Sequence, residues 1–153
     1  MSNTPWSKTI CVSTALRRAD RAVGRHYDEA LRPSGLTIRQ FSLLSLLSRA
    51  PDDLTLGEFA EAQVIDRTSL SRALAPLVAA GLVAIEPGAD RRTRMLRITD
   101  TGRERVEEIR PRWRAAQEQI IDTMGPAWID GLMTDLADLI EQIRPDTSQE
   151  LAS

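Results

Sequence analysis

The stretch Gly88-Ala-Asp-Arg-Arg-Thr-Arg-Met-Leu-Arg-Ile-Thr99 constrains this chain more than any other. It sets a glycine-opened loop carrying Arg91, Arg92 and Arg94 between two short apolar runs. The first run, Leu82-Val83-Ala84-Ile85, follows a glycine; the second, Met95-Leu96-Arg97-Ile98-Thr99, resumes directly after the arginines. Two such runs around a turn-prone segment predict a β-hairpin with a long loop rather than a two-residue turn. A hairpin tip loaded with guanidinium groups suits phosphate or a narrow groove, because each arginine stays charged and offers forked donors.

The bulk charge of −2 argues mildly against a polyanionic partner, but its distribution does not. Residues 64–99 hold six arginines against three acids, a local balance of +3, whereas residues 121–153 hold seven acids against Arg144, a balance of −6. An acidic end region therefore masks a basic centre, and the local field is the relevant one. A length of 153 residues fits one domain, or a small domain with added oligomerisation helices. A single cysteine, Cys11, has no partner for an internal disulfide and accords with a reducing compartment, so a cytoplasmic location is expected. One histidine and one cysteine argue against an all-protein zinc site. With no phosphate-binding glycine loop and no nucleophile elbow, neither an enzyme nor a cofactor is expected. No apolar run approaches the roughly 20 residues of a membrane span, so no membrane association is expected.

Helical periodicity places six segments. Val12, Leu16, Ala19, Val23, Tyr27 and Ala30 make one face of a first helix over about residues 8–31, ended by Pro33 and Gly35. Thr37-x-x-Gln40, Thr55-x-x-Glu58 and Thr101-x-x-Glu104 have the spacing of capping boxes and predict the starts of helices two, three and five. Asp66 is the expected N-cap of helix four and Gly81 its expected C′ residue. On that helix Leu70, Leu74 and Leu77 share one face, while Thr68, Ser71, Arg72 and Ala75 share the other. Pro76 predicts a bend or an early end there. Helix five carries Val106, Ile109, Trp113, Ala116, Ile120 and Met124 at steps of three and four. Gly125-Pro126 separates it from helix six, with Ile129, Leu132, Leu136, Leu139 and Ile143. A helix with small hydroxyl and arginine side chains on its outer face, followed by a basic hairpin, is the order of parts in a winged helix-turn-helix.

Four fragments in order, Asp66-Arg-Thr-Ser-Leu-Ser-Arg72, Leu77-Val-Ala-Ala-Gly-Leu-Val83, Asp90-Arg-Arg-Thr-Arg94 and Leu96-Arg-Ile-Thr-Asp-Thr-Gly102, resemble the MarR (multiple antibiotic resistance regulator) family. Tyr27 to Thr37 and Gln40 to Leu44 extend the resemblance, which spans most of residues 25–102. It implies a mainly α fold with a small β wing, a winged helix-turn-helix flanked by N- and C-terminal dimerisation helices. The expected organisation is a dimerisation helix in 1–36, the DNA-binding module in 37–99 and further dimerisation helices in 100–153, in one intertwined domain. The implied function is a homodimeric transcription regulator on a near-palindromic double-stranded DNA operator, often a repressor released by a small molecule or an oxidant. A winged-helix protein-interaction module that does not bind DNA is the alternative from a different class.

By the same resemblance, helix four is the recognition helix. Thr68, Ser69, Ser71 and Arg72 are expected at base edges or nearby phosphates, and Arg67 at phosphate. Asp90, Arg91, Arg92 and Arg94 match the wing, and Asp66 with Arg92 matches an ion pair that would fix the wing's angle. Cys11 is a candidate for oxidation, although a small buried residue packing within helix one is the blander expectation. A small-molecule effector would sit between the dimerisation helices and the winged module, where Trp6, His26, Tyr27, Phe41 and Trp113 are candidates to contribute.

Overall fold

A computed structural model of the chain describes residues 11–52, 54–90 and 92–143. In chain order they form α1 (Val12–Leu31), one 3-10 turn at Arg32–Ser34, α2 (Ile38–Leu47), α3 (Leu56–Ala62), α4 (Arg67–Ala79), β1 (Val83–Pro87), β2 (Arg94–Ile98), α5 (Asp100–Met124) and α6 (Pro126–Ile143). This is the mainly helical fold with a two-stranded wing that the sequence implies.

Local chemistry accounts for most boundaries. At Thr37 and Thr55 both arms of the capping box close: each threonine hydroxyl accepts the amide three residues on, and Gln40 and Glu58 reach back to the cap amides at 2.9 and 2.8 Å. The third expected box does not form. α5 starts earlier, at Asp100, and its cap is Thr99, whose hydroxyl accepts the Gly102 amide at 3.0 Å. The same hydroxyl donates to the Gly81 carbonyl at 2.7 Å, a tertiary bond that Thr101 has no counterpart for.

α4 closes as a Schellman motif. Gly81, at φ 69°, donates to the Val78 carbonyl and Leu82 to the Leu77 carbonyl, each at 2.9 Å. The helix runs through Pro76 to Ala79 instead of ending early. Pro76 has no N–H to offer the Arg72 carbonyl, so the helix gives up that one bond at a stretch where both residues are exposed. A second proline, Pro111, lies inside α5, which continues past it to Met124.

The described residues divide into two compact units, one up to Arg114 and one from Ala115. In the first, Leu31 of α1, Phe41, Leu44 and Leu47 of α2, Phe59 of α3, Leu70, Leu74 and Leu77 of α4, Val83, Leu96 and Ile98 of the strands, and Val106 and Ile109 of α5 make one buried cluster. The end of α1 and the start of α5 thus pack into the core of the winged module. β1 and β2 pair antiparallel from Val83↔Ile98 to Pro87↔Arg94. Leu54 and Thr55 add a short third rung: the Leu96 amide donates to the Leu54 carbonyl at 2.9 Å, and Thr55 bridges to Met95. At the base of the wing, a Cβ on Gly102 would lie 2.2 Å from the Leu82 carbonyl oxygen, so only glycine lets α5 start this close to β1.

In the second unit, Gly125 at φ 87° ends α5 and Pro126 opens α6 at its first position. Ile129 is buried, Leu132, Leu136 and Leu139 are half-buried, and Trp128, Met133, Ile140 and Ile143 are exposed. No helix among the described residues is long and apolar enough to cross a membrane.

Candidate nucleic-acid interface

α3, the turn Gln63–Asp66 and α4 form the helix-turn-helix. Asp66 caps α4: one carboxylate oxygen accepts the Ser69 amide at 2.8 Å and the other the Ser69 hydroxyl at 2.6 Å. These bonds, that from the hydroxyl first, hold the Asp66 carboxyl below the ordinary aspartate range. Ser69 is thereby turned back onto the cap, away from the outward role expected of it.

α4 is divided along its length. Leu70, Leu74 and Leu77 are buried, whereas Arg67, Thr68, Ser71, Arg72 and Ala75 are exposed. The Ser71 hydroxyl donates to the Arg67 carbonyl at 2.8 Å, so its lone pairs are what it offers outward. The exposed face therefore combines an acceptor at Ser71 with the forked donors of Arg72, the two functions that base edges in a major groove require.

In the wing, the Gly88 amide donates to the Thr93 carbonyl and the Thr93 amide to the Asp90 carbonyl, both at 2.9 Å. The Arg92 amide donates to the Asp90 carboxylate at 3.0 Å. Asp90 thus shapes the loop as an Asx turn. Arg92 and Arg94 are exposed, Arg94 at the first position of β2 opposite Pro87. Arg91 lies outside the described residues.

Three expectations about individual residues change. No ion pair joins Asp66 to Arg92 among the described residues; the Asp66 carboxylate bonds the amide and hydroxyl of Ser69 instead. Cys11 is not a packed residue of α1: it is the N-cap position, exposed, with its sulfur 3.5 Å from the Thr14 hydroxyl. That hydroxyl is the main cause holding its thiol below the ordinary cysteine value. The four described aromatic candidates do not gather into one cavity. Phe41 and Trp113 stack obliquely with ring centres 6.2 Å apart, Phe41 deep in the core. His26 meets Tyr27 edge-on at 5.7 Å, and Trp6 lies outside the described residues. Of the four described candidates, Tyr27 alone lines a groove of about 620 Å3, with Val23, Ile38, Leu43, Leu46 and Ile65 as its apolar wall. Burial pushes the Tyr27 hydroxyl's pKa up.

Comparison with known proteins agrees with this architecture. A model of the MarR family matches residues 34–93. The transcriptional regulator MosR of M. tuberculosis, solved in complex with DNA, is 34% identical, with a TM-score of 0.76 over 88% of this chain and 99% of that one. The chain belongs to the MarR family. CouR, a transcriptional repressor of Rhodococcus jostii RHA1 solved on a 23-mer DNA duplex, is 26% identical to this MarR-family chain, with a TM-score of 0.77 over 90% of it and 99% of CouR. A second CouR structure, bound to p-coumaroyl-CoA, shares the fold at 21% identity and a TM-score of 0.67, covering 90% of this chain and 94% of that one. No protein of curated function matches the sequence.

Proposed function

We propose that this chain is a homodimeric, sequence-specific double-stranded DNA-binding regulator of transcription that acts as a repressor. The observation that carries the reading is the division of α4, with three leucines locked in the core and Thr68, Ser71 and Arg72 presented outward, in a chain akin over 88% of its length to a regulator solved on DNA. In this reading Thr68, Ser71 and Arg72 enter the major groove, Arg67 meets a flanking phosphate, and the wing arginines Arg91, Arg92 and Arg94 reach the adjacent minor groove or its phosphates. Asp66, Ser69 and Asp90 hold these elements in shape without touching DNA.

Two subunits paired through α1, α5 and α6 place two recognition helices on half-sites about one helical turn (~10 bp) apart in a near-palindrome. Release follows from a small apolar effector in the groove beside Tyr27, whose volume is ordinary for a small-molecule site. The exposed, acid-shifted thiol of Cys11 supports an oxidant as the second kind of release signal.

A gel shift against the duplex upstream of the chain's own reading frame tests the reading. Binding should weaken steeply with salt, and Arg72→Ala or Arg92→Ala should each weaken it further. Unchanged affinity in both variants contradicts the interface. An added oxidant that releases the wild type but not Cys11→Ser would assign the signal to the thiol.

A further inference from the structure

The geometry points to Gly57 as the positioning residue that aims the Arg67 guanidinium at the DNA backbone, an inference that rests on the DNA-binding reading above. Gly57 is the second residue of α3 and Arg67 the first of α4, on opposite sides of the helix-turn-helix corner. A Cβ placed on Gly57 would lie 2.9 Å from Nη2 of Arg67 and 3.3 Å from both Cζ and Nε. Beyond its chain neighbours and the backbone of its own helix, these are the three nearest atoms to that position, and all belong to the guanidinium. One edge of the group therefore rests against the bare backbone of α3, in space that any other residue at 57 would fill.

The backbone conformation at this position does not call for glycine. Gly57 is not among the residues with positive φ, which are Gly35, Val64, Gly81 and Gly125 among those described. Inside a short helix, glycine is a poor choice on backbone grounds, since alanine loses less entropy there. The gain lies in the guanidinium. Arginine carries a large rotamer entropy, and a charged group already seated at the corner loses less of it on meeting a phosphate. Arg67 is exposed and directly precedes Thr68, the first residue of the outward face of α4. The anion this corner meets is a phosphate beside the groove that α4 enters. Contacts of that kind fix the protein's register on the duplex without reading sequence.

The clash created by a methyl group at 57 falls on the tip of a flexible side chain, not on backbone. Gly57→Ala should therefore turn Arg67 aside and leave the fold intact. The test measures binding of the upstream duplex, and of a scrambled one, by wild type, Gly57→Ala, Arg67→Ala and the double variant over a range of salt concentrations, with a thermal melt of each. Gly57→Ala is expected to melt no lower than wild type, to lose roughly threefold to tenfold in affinity on both duplexes, and to flatten the salt slope by about 0.9, the value of one phosphate contact. The double variant should bind like Arg67→Ala alone. Additive losses, a lowered melting point in Gly57→Ala, or wild-type affinity in either single variant would overturn the assignment. Failure of the wild type to bind any duplex would instead remove the DNA reading itself, and this inference with it.

Discussion

The Thr99 hydroxyl donates to the Gly81 carbonyl across 2.7 Å, so the residue that ends the wing is bonded to the residue that ends the recognition helix. The same oxygen caps α5 by accepting the Gly102 amide. One side chain thus locks three elements at a single corner, and the angle between α4 and the wing depends on it. Thr99→Val keeps the shape and removes both bonds. It is expected to lower unfolding free energy by about 1–3 kcal/mol, read as a reduced urea midpoint with an unchanged slope. A midpoint equal to wild type would show that the corner is held by packing alone.

Much of this architecture is legible in local spacing, and what is not legible is non-local. Thr37, Thr55 and Asp66 cap helices through bonds spanning three residues, which a linear pattern reveals. Thr101 has the same pattern and loses to Thr99, because only Thr99 also reaches a carbonyl 18 residues away. The rung from Leu96 to Leu54 and the fit of Arg67 over Gly57 likewise join residues far apart in the chain or across a turn. Asp66 instead bonds the amide and hydroxyl of Ser69, three residues on, and no ion pair to Arg92 is present among the described residues. Cys11 lies at the N-cap and not inside α1, because periodicity does not locate a helix's first residue.

The helix-turn-helix corner carries backbone strain. α3 closes with Val64 donating to the Glu61 carbonyl and Ile65 to the Ala60 carbonyl, each at 3.0 Å, which places Val64 at the left-handed C′ position with φ 52°. A β-branched residue is disfavoured there, and Val64 is largely exposed, so little packing offsets the cost. Val64→Asn should raise stability by about 0.5–1 kcal/mol, seen as a higher thermal midpoint. A drop in stability would mean that the valine side chain makes a contact worth more than the strain it carries.

Two helix caps should respond to acid. Glu58 is held below the ordinary glutamate range first by the Thr55 hydroxyl, and Asp66 below the aspartate range first by the Ser69 hydroxyl. Groups with depressed folded pKa values stabilise fully above their unfolded values, roughly 3.9 for Asp and 4.3 for Glu. That stabilisation is lost as pH falls through the folded values, because the unfolded chain takes up protons first. Thermal midpoints should be flat above about pH 5.5 and fall below it. In Asp66→Asn, which keeps a capping oxygen but no titrating group, the fall should be shallower; an identical pH profile would remove Asp66 from the account.

On α1, Val12, Leu16 and Val23 are exposed, Val12 at 61%, and on α6 so are Trp128, Met133, Ile140 and Ile143, Ile143 at 69%. Each helix alone presents an apolar row that a protomer leaves to water, where burial against a second copy would gain about 25 cal/mol for every Å2 removed from solvent. Isologous pairing also doubles every contact, so one added charge acts twice at such an interface. Light scattering should give about twice the 17.0 kDa chain mass for the wild type. Leu16→Glu and Ile140→Glu should shift it toward the single-chain mass while keeping the helical circular dichroism of a folded protomer. Affinity for a two-half-site duplex should then fall at least tenfold, because one recognition helix replaces two. If either variant remained fully dimeric, its helix would lie outside the interface, and retention of dimers by both would place the subunit contact elsewhere on the chain.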